Sequence, residues 1–233
     1  MWAEDVASWI LIITLGMRRF AMKHQWLLLL VVTMLVVSAY SLVSAEVEYV
    51  GADTDTRGDW TGKYGENGVI LFAIQDLVDL KDITEFDDGG NQRWDWENPT
   101  ADERGPVYLD DPGQRTGSCV FNNPVGVFTI ETSLSNYQVA AYVVDWDSSV
   151  RVQDMVGFQG DEAPKDPDVT VMNPEFNAGL YYIWHVTGGR SFSLQITHKG
   201  GANWVVSGIF VDDLKTAVQA KGKLTITWGQ LKQ

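Results

Sequence analysis

Between Glu46 and Val211 the chain never sustains an apolar period of 3.6 residues. It runs in short apolar or alternating segments broken by glycine, asparagine and proline. Phe192, Leu194 and Ile196 alternate with Ser191, Ser193, Gln195 and Thr197. Val150, Val152, Asp154, Val156 and Phe158 share one face against Arg151, Gln153 and Met155. The runs from Tyr137 to Val144 and from Trp204 to Val211 are apolar on both faces, the pattern of a central strand covered on two sides. Further strands are expected at 47–50, 69–74, 107–109, 119–121, 127–131 and 181–186. Asn67-Gly68, Asp88-Gly89-Gly90, Asn122-Asn123-Pro124, Gly188-Gly189 and Gly200-Gly201 supply turns at short intervals. The pattern predicts an all-β antiparallel sandwich or jelly roll over residues 46–213.

Three stretches fall outside this pattern. Asp76 to Leu80 reads as a short helical turn. Residues 87–114 read as a long acidic loop that carries Trp94, Trp96 and Tyr108. Residues 214–233 read as a C-terminal extension with a helix-compatible start.

The N-terminus reads as an export signal. Met22-Lys23 precedes an apolar run from Trp26 to Val37, and Val43-Ser44-Ala45 suits a peptidase cut after Ala45. The run is shorter than the roughly 20 residues a membrane span needs. Residues 1–21 fit a mis-assigned start. An uncleaved anchor over about residues 25–45 is the alternative and the only route to a membrane partner. The expected location is secreted or cell-surface.

Beyond Ala45 the chain holds 14 basic and 29 acidic residues, a net charge of −15. Such a charge repels nucleic acid and anionic lipid. It suits cations such as Ca²⁺ and equally suits plain solubility. Cys119 is the one cysteine, so no intrachain disulfide can form. Its apolar neighbours mark it as a buried small side chain rather than a nucleophile.

Four motifs, taken together, carry a family resemblance. They are Thr54 to Trp60 with Tyr64-Gly65, Val144 to Asp147 with Arg151, Tyr182 to Trp184, and Gly200 to Phe210. This set resembles the galactose-binding-like jelly roll of secreted bacterial proteins, the architecture of many carbohydrate-binding modules. The resemblance spans about Val50 to Asp212. It departs at residues 76–115, which are longer and more acidic than the core module. It implies a binding module with carbohydrate as its first ligand class and no catalysis. A surface module that contacts protein is second, and a glycan-active hydrolase third.

Each candidate site has two readings. Arg93, Trp94, Asp95 and Trp96, with Trp60 and Tyr64, combine aromatic platforms with polar groups, as sugar recognition requires. The tryptophans could equally anchor a long loop. Asp53, Asp55 and Asp59, joined by Asp212 or Asp213, could supply oxygens to calcium. They could equally cap turns. Asp145, Asp147 and Arg151 read as a structural ion pair or as the polar floor of a site. His185 and His198 lack metal spacing and a catalytic partner.

Overall fold

A computed structural model describes residues 45–160, 162–165, 167, 170–172 and 175–214. The expected signal segment and C-terminal extension therefore lie outside the described residues, apart from their last and first positions.

Fourteen strands follow in chain order. The first seven are β1 (Glu46–Asp53), β2 (Gly68–Leu71), β3 (Leu77–Asp79), β4 (Ile83–Asp87), β5 (Gln92–Thr100), β6 (Arg115–Asn122) and β7 (Val125–Thr132). Then come β8 (Asn136–Val143), β9 (Val152–Phe158), β10 (Val171–Met172), β11 (Leu180–Thr187), β12 (Ser191–Gly200), β13 (Trp204–Val206) and β14 (Gly208–Asp213). They form antiparallel sheets in the orders β1-β11-β8-β14-β2-β3, β10-β9-β12-β7-β4 and β13-β6-β5. The fold is all-β and jelly-roll-like.

The six-stranded and five-stranded sheets enclose the main core. Val139, Ala141, Trp184, Ile209 and Val211 face Phe128, Ile130, Phe192, Leu194 and Ile196 across it. The outer face of the six-stranded sheet is covered as well. Trp60, Tyr64 and Val107 pack there on Ala140, Tyr142, Tyr181 and Phe210. This double cover is why β8 and β14 carry apolar residues at successive positions.

The cover consists of two loops tied to each other. Gly58 N–H donates to Glu103 O and Val107 N–H donates to Gly58 O. A Cβ on Gly58 would lie 2.1 Å from Gly105 O, so only glycine permits this approach.

Register fixes the two ends of the six-stranded sheet. Glu46 opposes Thr187, Thr187 opposes Asn136, and Asp213 opposes Tyr137. At the other end Leu180 opposes Val143 and Gly208 opposes Tyr142.

Two expectations are corrected here. Leu77–Asp79 is a strand, not a helical turn, because it pairs with Val69–Leu71. The acidic stretch is not one long loop, because Gln92–Thr100 pairs along β6 and builds the third sheet. Smaller differences follow from pairing too. The 204–211 run splits at Ser207, whose two flanking strands belong to different sheets. At 107–109 only an isolated bridge from Val107 to Arg115 forms.

Candidate functional site

The third sheet presents a groove. On β5, strand alternation sends Trp94 and Trp96 to one face and Arg93 and Asp95 to the other. Trp94 opposes Cys119 on β6, and Phe121 on β6 opposes Val205 on β13. Cys119, Phe121 and Val205 thus form a floor across the strands. Trp94 and Trp96 stand on one side, Ala202 and Asn203 on another, and Asp147 and Arg151 close the lining. The groove has a volume of about 360 Å³. Trp94 is 53% exposed, and among the described residues it is the one exposed aromatic side chain.

Arg151 organises the polar end. Its Nη1 donates to Asp145 Oδ1, Asp147 Oδ1 and Ser148 Oγ, and its Nε donates to Asn203 Oδ1 at 3.1 Å. Its backbone N–H reaches Asp145 Oδ2 at 3.1 Å. Ser148 Oγ donates to both oxygens of Asp145, each at 2.7 Å. Asp145 is 1% exposed and Arg151 6%, whereas the Asp147 side chain is half open to solvent. Burial raises the Asp147 pKa, but hydrogen bonds from Arg151 and a smaller one from Trp96 hold it below the usual carboxylate value.

A line of stacked groups holds Trp96. The Arg151 guanidinium lies 5.6 Å from its ring, and Trp146 stacks on it at 6.3 Å with planes 12° apart. Arg104 in turn lies 4.6 Å from the Trp146 ring. Gly117 makes room, since a Cβ there would fall 2.6 Å from Trp146 Cζ2. Trp96 is therefore held in place by its neighbours, and Trp94 is the ring left open to a ligand.

The residues expected to bind are only partly gathered here. Trp94 and Trp96 line the groove. Arg93 and Asp95 do not, because strand parity turns them to the back. There Arg93 makes a two-pronged pair with Asp76, at 2.8 and 2.7 Å, and a bridge to Asp88. Its guanidinium lies 5.1 Å from the Phe72 ring. Asp95 accepts the Ile74 N–H at 2.9 Å. Trp60 and Tyr64 are also corrected, because both are buried beneath the outer-face cover. Trp60 donates its indole N–H to Val107 O at 2.8 Å, and the Tyr64 ring packs tilted against Tyr181 with centroids 4.5 Å apart.

The calcium set does not converge. Among the described residues no three His, Cys, Asp or Glu side chains form a metal-holding group. Asp53 instead accepts from Lys63 at 2.6 Å, Tyr64 at 2.7 Å and Thr56 at 2.5 Å. Burial raises its pKa, yet these bonds outweigh burial and hold it far below the usual value. Asp59 pairs with Arg115. Asp55 is exposed in the turn that Asp53 caps. Asp212 accepts the N–H groups of Gly65 and Glu66 at 3.1 and 2.8 Å, while burial pushes its carboxyl up. His185 lies in β11, and His198 Nε2 lies 3.1 Å from Gly201 O.

The ion pair, by contrast, forms with all three residues expected, and Asp147 and Arg151 also line the groove. That polar floor is the second reading the sequence offers for these residues, whereas Asn203, Phe121 and Val205 are not among the residues it marks for binding. Asn203 follows a Gly-Gly turn with nothing to distinguish it, and only its proximity to Arg151 reveals its place. Two larger hollows lie beside Tyr49 and Trp184, about 450 Å³, and beside Trp60 and Asp212, about 380 Å³. Neither offers an exposed aromatic face.

No family model matches the chain, and no curated protein matches it. Among solved structures it is similar to an exo-beta-1,3-galactanase from Phanerochaete chrysosporium with beta-1,3-galactotriose. That likeness has 16% identity and a TM-score of 0.30 over 58% of this chain. The chain spans 30% of the length of that enzyme. A likeness at that score carries no argument about fold or function.

Proposed function

We propose that this protein is an exported, non-catalytic carbohydrate-binding module of the galactose-binding-like kind, with its ligand in the Trp94 groove. The observation that carries this reading is the exposed Trp94 ring beside the Asp147 carboxylate and the Asn203 amide. An aromatic face covers the apolar side of a sugar ring, and the polar groups take its hydroxyls. The non-catalytic part rests on the carboxylates. Glycoside hydrolysis needs one carboxyl kept protonated as a general acid beside a second carboxylate. The one carboxylate lining the groove is Asp147, and Arg151 biases it towards the ionised form. Asp145 is spent on Arg151 and Ser148.

A glycan panel tests this reading through tryptophan fluorescence. At least one glycan should shift the emission of the full chain, and Trp94→Ala should abolish the response. The same panel, assayed for reducing ends, should show none released. A response that survives Trp94→Ala would move the site elsewhere.

A further inference from the structure

The groove's charge balance narrows the ligand class, an inference that rests on the carbohydrate reading above. Arg151 is the one cation in the lining, and an arginine beside an aromatic platform could in principle hold a uronate or a sulfate. Here it is already paired with two carboxylates, Asp145 and Asp147. The three groups together carry −1. Behind the sheet Arg93 is likewise paired with two, Asp76 and Asp88. Asp95 adds a further negative charge there, on a chain of net −14. Among the described residues, neither Arg151 in the lining nor Arg93 behind it is left unpaired for an anionic ligand to neutralise.

Hydrogen-bonding capacity remains. Arg151 spends Nε and Nη1 on Asn203, Asp145, Asp147 and Ser148, while its Nη2 has no acceptor among the described residues. The Asp147 side chain is half open to solvent and lines the same groove. A donor and an acceptor side by side suit neighbouring hydroxyls, each of which can both give and take a hydrogen bond.

We infer that the groove selects neutral sugars and rejects uronic acids, with Trp94 under the ring and Arg151 Nη2 and Asp147 on adjacent hydroxyls. The single open ring and the groove's volume, near the lower end for ligand sites at roughly 300 Å³, suit one or two sugar units rather than a long chain.

The test uses matched oligosaccharides that differ only in the terminal unit: glucose against glucuronate, galactose against galacturonate, mannose against mannuronate. Each is titrated into the full chain and into Trp94→Ala at low salt. In any pair that binds through Trp94, the neutral member should bind at least about tenfold tighter, since an uncompensated like charge is strongly disfavoured. Raising the salt should narrow that gap by screening. Asp147→Asn should weaken the neutral member about tenfold, the scale of one lost charge-assisted hydrogen bond, and should narrow the gap further. A uronate bound equally or more tightly overturns the charge inference and leaves the carbohydrate reading standing. No Trp94-dependent response to any pair overturns both.

Discussion

Two parts of this molecule share a vocabulary of aspartates, tryptophan and arginine and use it in opposite ways. In the stretch Asp53 to Gly65, both aromatic rings are turned inward and Asp53 is taken up by its neighbours. Trp60 and Tyr64 fill the outer cover of the six-stranded sheet, and Asp53 collects Lys63, Thr56 and Tyr64 around itself. Around β5, alternation divides the same residue types. Arg93 and Asp95 fasten the back of the sheet, while Trp94 stands in solvent. Composition therefore cannot separate a binding surface from a structural clasp. Which side of a backbone a residue occupies, and whether another layer covers that side, separates them.

The comparison breaks first if the covered aromatics prove dispensable. Trp60→Ala should cost about 3–5 kcal/mol, as expected for truncating a buried tryptophan, read as a fall in the denaturant midpoint. Asp145→Ala should be nearly as severe. It strips the buried Arg151 of its most buried partner, a change of about 3–5 kcal/mol, and it should also slacken the groove and weaken glycan binding.

Asp53→Asn sharpens the comparison through pH. The folded carboxyl titrates well below its unfolded value, so its contribution is complete above about pH 4 and fades as the pH falls towards the folded value. The variant should lose about 2 kcal/mol at pH 7, and the gap to the parent should shrink in acid. A gap that widened in acid would reverse the assigned direction. Trp94→Ala should change stability by less than about 0.5 kcal/mol, as for an exposed side chain. The smallest effect is expected from EDTA. With Asp53, Asp59 and Asp212 held by protein partners, the melting temperature should not move, and a clear drop on chelation would restore calcium.

The sequence made the sandwich legible because most strands have one apolar face, and β8 and β14 have two. It hid β5 because Gln92 to Thr100 carries polar residues on both faces, which reads as loop until β6 is seen beside it. It hid β3 because three residues in an acidic setting have too little pattern to show. The Asp145–Asp147–Arg151 cluster could be read because its members are close in sequence and the turn between them is short. The groove could not, because β5, β6, β13 and the segment before β9 meet only through long-range pairing. Nothing local in Asp59-Trp60-Thr61 signals that Trp60 is covered by a loop 47 residues away.

The register of the six-stranded sheet has a consequence for where the groove lies. The chain enters β1 at Glu46 and leaves β14 at Asp213, both at the end marked by Asn136 and Tyr137. Three strand spacings separate them, about 14 Å. The segment bearing Asp145, Asp147 and Arg151 follows Val143, at the opposite end of an eight-residue strand, roughly 25 Å away. The first and last strands of the described sheet thus open and close at one end, and the polar side of the groove is built at the other.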